Sequence, residues 1–299
     1  MSSPLESGAP SGPVPAAALS LVLRTATQTL ADAGVPTPDV DAELLAAHAW
    51  GLSRGELLAA ALRGDGAPED AGAFDRLIVR RAAREPLQHL TGLAPFRHLE
   101  LRVGPGVFVP RPETEMVAQL AIDALRAVPD AAPIAVDLGT GSGAIALAMA
   151  TEVPHADVHA AENAVDAFIW AKDNFAAHAP HARLAFVDIA DAFPELDGTV
   201  SVLVSNPPYV PDAAIPRDPE VRHWDPPSAL YGGEDGLDVV RVLSAVGRRL
   251  LRPGGVLVLE HGEWQGAPIR QLLTADGWRA AATHPDLTHR ERATTALRP

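Results

Sequence analysis

Between residues 19 and 33 apolar side chains return every three or four positions, LSLVLRTATQTLADA, and the run stops at Gly34. That spacing predicts an amphipathic helix with a glycine stop. TPDVDAELLAAHAWG opens on Thr37 and Pro38, which suit a cap and a first turn, and closes at Gly51. Ser53 to Leu62 predicts a shorter helix. Residues 68–84 predict another, with Arg76, Arg80, Arg81 and Arg84 towards its end, where cations complement the helix dipole. The texture then changes. FRHLELRVGPGVFVP (96–110) alternates apolar and polar residues around GPG, the pattern of a β-hairpin or an extended linker. Beyond it strands and helices alternate. IAVDLG (134–139), ADVHAAE (156–162), ARLAFVD (182–188) and VSVLVS (200–205) read as strands, with helical SGAIALAMATE and AVDAFIWAKDNFAAH between the first three. A helix at 236–251, the strand GVLVLEHG, a further helix and strands near 278–284 and 292–298 complete the chain.

Strands alternating with helices predict an α/β fold with a mostly parallel sheet covered on both faces. No internal repeat is visible. Residues 1–14, rich in Ser, Gly and Pro, predict a disordered tail. The remaining chain divides into a helical domain at 15–92, a hairpin linker at 93–110 and an α/β domain at 111–299.

Composition narrows the function. The 299 residues are 47% hydrophobic and 21% charged, enough apolar material for a substantial core. Cysteine is absent, which removes disulfides, thiolate zinc sites and a cysteine nucleophile and fits a reducing cytoplasm. A net charge of −14 argues against a nucleic-acid backbone as the main ligand. No apolar run approaches the roughly 20 residues that span a bilayer. AAALSLVL (16–23) follows Glu6 and several prolines instead of a basic region, so it makes a poor signal peptide.

DLGTGSGAIALA (137–148) is strand, glycine turn and helix. Gly139, Gly141 and Gly143 allow a tight turn and a close ligand approach, and the helix N-terminus faces that ligand. Glu162 ends the second strand about 20 residues on, the spacing of a carboxylate that holds a ribose diol. A plain turn explains glycines alone; the strand, helix and acid around them favour a nucleotide-like cofactor. G-x-G-x-x-A with Ala144 suits NAD. An acid two residues before the first glycine suits S-adenosylmethionine better, because Asp137 then pairs with the methionine amino group.

SNPPYV (205–210) also follows a strand, at the same carboxyl edge of the sheet. Two prolines fix φ and remove two donors, and Asn206 is biased to an extended conformation. The product is a stiff shelf with two acceptors, the Asn206 side-chain oxygen and the Pro207 carbonyl, beside the Tyr209 ring. Two acceptors match the two hydrogens of a planar –NH2 group. An amide or aryl amine is a poor nucleophile, and orientation is what a protein can add to it. A rigid turn is the bland alternative for the tetrapeptide by itself.

The combination of DLGTGSGAIALA and SNPPYV resembles the bacterial release-factor glutamine methyltransferases, the HemK family. REPLQHLTG (84–92), FRHLELRVGPGVFVPRPETE (96–115), ALYGGEDGLD (229–238), LLRPGGVLVLEHG (250–262) and DLTHRERATTALRP (286–299) look like family segments in family order, so the resemblance spans 15–299. It implies a seven-stranded Rossmann-like methyltransferase domain, a hairpin, and an N-terminal helical domain that helps recognise the protein substrate. The implied reaction is methylation of the glutamine amide in the Gly-Gly-Gln loop of peptide-release factors, by a monomer, without membrane or nucleic acid. By the same resemblance Gly139, Thr140, Gly141, Ser142, Gly143 and Glu162 contact the cofactor, with Asn206 beside them. Asp188 and Ile189 lie near the adenine. Asn206, Pro207, Pro208 and Tyr209 hold the glutamine, and Arg111 and Glu113 shape the pocket floor or lid. The chain departs from the family in having Glu162 where Asp is frequent, Ile189 where some members carry an aromatic, and His261 at a usually apolar position.

Other candidates carry less. His155 and His159 on one strand face would stand about 13 Å apart, too far for one metal, and no metal site is read. Trp224, in a Pro-rich connection, either lines a substrate lid or packs under a loop. The rival functions are an adenine-amino nucleic-acid methyltransferase, which calls for a basic surface or a target-recognition domain, and a non-catalytic cofactor-binding module, which calls for a damaged loop or corner. An NAD oxidoreductase lacks an evident Tyr-Lys pair or His base.

Overall fold

The computed structural model describes residues 18–68 and 72–299. The tail predicted at 1–14 and the start of the helix predicted at 68–84 fall on undescribed residues. The chain divides into two compact units, Met1–Thr91 and Gly92–Pro299.

The first unit is helical: α1 (Leu19–Asp32), α2 (Pro38–Trp50), α3 (Arg54–Arg63), α4 (Gly72–Ala82) and the short α5 (Leu87–Thr91). Each boundary has a local cause. Gly51 adopts φ 65° at the end of α2 and Gly64 φ 79° at the end of α3, the left-handed caps that glycine forms without strain. Ser53 and Glu56 make a reciprocal capping box at the start of α3. The apolar stripes converge on Leu30, Leu45, Leu57 and Phe74, all at most 1% exposed. Within this core Arg81 donates to Asp41 at 2.7 Å. Thr37 donates to the other Asp41 oxygen at 2.9 Å, so the buried charge is paired and hydrogen bonded.

The second unit opens with the antiparallel pair β1 (Leu93–Phe96) and β2 (Leu99–Arg102). Its turn lies at Arg97 and His98, with Arg97 at φ 53°, and not at the GPG around which the hairpin was expected. Gly104 and Gly106 serve another purpose. A Cβ on Gly104 would lie 2.4 Å from the Trp170 ring, and one on Gly106 2.5 Å from Asp166. The Trp170 indole donates to the Pro105 carbonyl at 3.2 Å, so GPG is flattened against the helix that carries Trp170.

There follow α6 (Thr114–Arg126), β3 (Ile134–Leu138), α7 (Ala144–Glu152), β4 (Asp157–Glu162), α8 (Val165–His178), β5 (Arg183–Phe186), β6 (Val200–Ser205), α9 (Pro219–Trp224), α10 (Asp238–Leu250), β7 (Leu251–Glu260), α11 (Gly266–Ala275), β8 (Arg279–Pro285) and β9 (Glu291–Leu297). Seven strands form one sheet in the order β5-β4-β3-β6-β7-β9-β8, parallel except for the antiparallel β9. Successive strand residues feed opposite cores, as the period of two requires. Ala135, Val202 and Val204 join Ile122, Leu125 and Leu147 on one face; Val136, Leu138 and Leu203 join Leu243, Leu250 and Ile269 on the other. The α7 residues from Ala144 to Ala150 are all buried, and their mostly small side chains let this helix lie close to its neighbours.

The chain enters the sheet at β3, builds outward to β5, then returns to lay β6 on the other side of β3. That reversal is where ligands collect in open α/β sheets, beyond the carboxyl ends of the strands.

Candidate active site

Three strand ends meet at this reversal. Asp137 pairs with Val204 between β3 and β6, and Ser205 pairs with Leu259 between β6 and β7. Continuing both registers by one or two residues places Gly139, Asn206 and Glu260 in a row. Neighbouring strands lie about 4.8 Å apart. The Ser205 hydroxyl, donating to the Leu138 carbonyl at 2.6 Å, pins the first pair just below the row.

Above the row lies a cavity of about 510 Å³, within the range of small-molecule sites. Asp137, Gly139, Thr140, Gly141, Ser142, Glu162, Asp188 and Ile189 line one part of it, and Asn206, Pro207, Pro208 and Tyr209 another. The loop and the corner therefore open into one shared space. Arg111 and Glu113 also stand on its wall. Gly143 does not: at φ 90° it starts α7, and a Cβ there would lie 2.9 Å from the Phe175 ring, so its glycine serves helix packing. Trp224 is half-buried and off the wall, while Val221 and Pro226 on either side of it are on the wall.

The loop is held by carboxylates. Thr140 donates to Asp137 Oδ2 at 2.6 Å and the Ala146 amide to the same oxygen at 3.1 Å. Oδ1 is buried and has no partner. Burial pushes the Asp137 carboxyl up to about 7, against the pull of those two donors. An unmet anionic oxygen on a cavity wall fits a cationic ligand group. Glu162 receives three backbone amides, from Gly141 at 2.8 Å, Asn163 at 2.9 Å and Ala164 at 2.8 Å. The acid read as a ribose ligand thus also anchors the middle glycine. A carboxylate has about four lone-pair sites, so one remains on the oxygen facing Gly141. Asp188 accepts from the Asn163 side chain at 2.8 Å, which couples the ends of β4 and β5.

Asn163, on the wall beside Glu162, was not singled out from the sequence. Nor was Asn174, fully buried on α8. It donates to the Ser142 carbonyl at 2.9 Å and exchanges hydrogen bonds with the Arg102 backbone at 2.7 and 2.9 Å, tying the glycine loop to β2.

The corner is held by close packing. A Cβ on Gly232 would lie 2.4 Å from the Pro208 carbonyl oxygen, and one on Gly236 2.2 Å from that of Tyr209. The glycines of GGEDGLD are therefore the surface on which the corner rests. Gln265 donates to the Tyr209 carbonyl at 2.9 Å and accepts from the Gly262 amide at 2.8 Å. Behind Asn206 stand Thr114 and Glu260, both buried, and the Asn206 side-chain nitrogen reaches Thr114 Oγ1 at 3.5 Å. Burial pushes Glu260 up to about 7, with Glu113 adding to the rise and Arg292 opposing it. The Tyr209 phenol is driven upward mainly by burial, so it stays a neutral hydroxyl.

His261 has a structural role. Its Nδ1 lies 2.8 Å from the Gly262 carbonyl, which can only accept, so the proton is on Nδ1 and Nε2 accepts from Thr294 at 2.9 Å. Burial lowers its pKa, consistent with a neutral ring bridging the ends of β7 and β9. Arg111 stacks 5.1 Å from the Phe108 ring centre and donates to the buried Asp225 at 2.7 Å, fastening the 211–229 connection beside the cavity.

Comparison with known proteins agrees with this layout. The family described as PrmC N-terminal domain matches residues 22–92, and that described as methyltransferase small domain matches 98–218. A Streptomyces coelicolor protein named release factor glutamine methyltransferase is 53% identical over 91% of this chain and 95% of its own length. A Streptomyces pristinaespiralis protein named 4-amino-L-phenylalanine/4-methylamino-L-phenylalanine methyltransferase is 41% identical, covering 94% of this chain and 95% of its own. Among solved structures, a Thermus thermophilus 16S rRNA N2 methyltransferase in complex with AdoMet and guanosine superposes with a TM-score of 0.51 at 22% identity, covering 69% of this chain and 50% of that one. At that identity the likeness concerns the fold.

Proposed function

The chain belongs to the release factor glutamine methyltransferases, and from that premise we propose how its own residues transfer a methyl group from S-adenosylmethionine to the side-chain amide nitrogen of the glutamine in the Gly-Gly-Gln motif of peptide-chain release factors. The observation that carries the proposal is the shared cavity: Gly139 and Asn206 end adjacent parallel strands and face one space.

When bound, the cofactor supplies an electrophilic methyl carbon on a sulfonium. Asp137 Oδ1, buried and without a donor, would accept from its amino group. Glu162 would accept a ribose hydroxyl on its remaining site, and Asp188 and Ile189 would flank the adenine. The glycines let the loop backbone come close, Gly141 in particular, where an added Cβ would meet nothing within 4 Å. On the substrate side Asn206 Oδ1 and the Pro207 carbonyl would accept the two amide hydrogens. That grip points the nitrogen, and not the more basic amide oxygen, towards the methyl carbon. Tyr209, neutral and half-buried, offers a ring face against the glutamine side chain. An amide nitrogen has a delocalised lone pair, so the gain comes from a fixed angle of attack and from acceptors that stabilise the charge growing on nitrogen. The proton leaves after the nitrogen has become cationic.

Every residue on the cavity wall lies between Gly106 and Val242. No helix among the described residues is long and apolar enough to cross a membrane, which is compatible with a cytoplasmic reaction.

The test is incubation with isotopically labelled cofactor and a purified release factor, followed by mass-spectrometric mapping. Label on the Gly-Gly-Gln glutamine is expected; label elsewhere, or none, overturns the reading. Asn206→Ala should keep cofactor affinity and lose turnover by about a hundredfold or more. Free 4-amino-L-phenylalanine belongs in the same assay. Its amine is also planar and delocalised, so methylation of it in preference to the release factor would reassign the substrate.

A further inference from the structure

Glu260 ends β7 with 1% of its surface exposed, behind the cavity wall and not on it. A buried carboxylate destabilises a fold unless hydrogen bonds compensate, and here Oε2 has no partner. A leucine would fill the space without that penalty. What the acid provides is directional. The Thr114 and Asn206 side chains lie near enough to hold its carboxyl down against the pull of burial. Asn206 Nδ2 also reaches Thr114 Oγ1 at 3.5 Å. An amide nitrogen has two hydrogens: Thr114 Oγ1 takes one, and the Glu260 carboxylate stands on the same rear side, next to Asn206 in the register. The planar amide then turns Oδ1 the other way, towards the cavity that Asn206 lines.

We infer that Glu260 is a positioning residue for methyl transfer: with Thr114 it sets which way round the Asn206 amide stands, so that oxygen and not –NH2 meets the substrate nitrogen. The inference rests on the reading of Asn206 as a substrate acceptor. The sense of the amide is decisive because its two ends have similar shapes and opposite chemistry. Reversed, Asn206 would set N–H against N–H and the substrate amide would lose one of its two anchors. Once ionised, above about pH 7, the carboxylate has no hydrogen to give and tolerates one sense only. A glutamine in its place has both a donor and an acceptor and tolerates either. The acid lies next to Asn206 across the β6–β7 register, and Thr114 opens α6, so two rigid elements fix the arrangement from behind.

Glu260→Gln keeps shape and removes a buried charge, so folding is preserved. It should lower kcat on a release factor about ten- to a hundredfold. The cofactor Kd by calorimetry should stay within about twofold and Tm should not fall. Thr114→Val should lower kcat in the same way, and Thr114→Ser, which restores the hydroxyl, should recover it. Wild-type kcat in Glu260→Gln overturns the inference. A second readout is independent of turnover: the Asn206 side-chain 1H–15N pair should exchange slowly with solvent in the wild type and quickly in Glu260→Gln. Fast exchange in the wild type overturns the inference. Slow exchange in an enzyme that methylates no release factor supports this arrangement of the amide and overturns the functional reading alone.

Discussion

The glycine loop after β3 and the proline corner after β6 end neighbouring strands and face the same cavity, yet they are built on opposite principles. The loop has three glycines at φ 71°, 58° and 90° and is held mainly by acids from its own vicinity, with Asn174 of α8 reaching the Ser142 carbonyl as well. Asp137 binds Thr140 three residues on, and Glu162 binds Gly141 from 21 residues away. The corner has no glycine. It is stiff in itself and wedged by groups from far along the chain, Thr114 at 92 residues and Gln265 at 56. A ligand can lie along the first, whereas the second holds a group at a set angle. Binding and orientation are therefore separable by mutation.

The largest separation is expected at Gly236. It holds φ 74°, and an added Cβ would lie 2.2 Å from the Tyr209 carbonyl oxygen and 2.7 Å from Gln265 Nε2. The glutamine can move aside; the backbone carbonyl cannot without displacing the corner. A displacement of about 1 Å near the reacting atoms costs about a hundredfold in rate, so Gly236→Ala should lose that much turnover while cofactor Kd holds. Gly141→Ala is the counterpart, with open space around its Cβ and a strained φ of 58°. It should weaken the cofactor and leave the corner intact. Equal losses of cofactor affinity in both variants would break the division.

An intermediate effect is expected at Glu162. Removing its carboxylate orphans three backbone amides as well as a ribose acceptor. Each unmet buried donor costs about 1–3 kcal/mol. Glu162→Ala should lower Tm, and cofactor affinity about ten- to a hundredfold. Glu162→Gln should recover part of the affinity, because one oxygen remains. An unchanged Kd with a lowered Tm would leave the acid an anchor of the loop only.

The same contrast explains what could be read from the chain. The loop was legible because its logic is local: glycine, acid and helix start lie within 26 residues, from Asp137 to Glu162. The alternation of strand and helix was legible for the same reason. The supports of the corner were not. Nothing near SNPPYV announces that Gly232 and Gly236 must be bare to receive its carbonyls, or that Glu260 stands behind Asn206. The first follows from the bridge between Val210 and Tyr231, which lays the 230–236 segment against the corner, and the second from β6 lying beside β7 in the sheet order. Local pattern left a hairpin or an extended linker open around GPG; the strand pair ends before it, and its bare backbone is needed under Trp170. It was also silent on His261, whose two nitrogens are spoken for only once β9 comes alongside β7.

The smallest effect, and the one that sharpens the loop's side of the comparison most, concerns pH. Burial holds the free Asp137 carboxyl at about 7. A cationic group beside Oδ1 favours the ionised form, so binding below that point must expel a proton. Cofactor affinity should then rise with pH, by at most about tenfold per unit, and level off above about 7. Calorimetry in buffers of different ionisation enthalpy should count nearly one proton released at about pH 6 and almost none at about pH 8. Asp137→Asn should release none at either pH and bind more weakly at the higher. Stability runs the other way. The folded carboxyl lies above its unfolded value of 3.8, so the folded state binds more protons and the ligand-free protein loses stability as pH rises from there through about 7. Asp137→Asn removes that loss, and its ligand-free Tm at about pH 8 should equal or exceed the wild type. A variant both less stable and unaltered in proton release would mean that Asp137 supports the fold and does not face the cofactor.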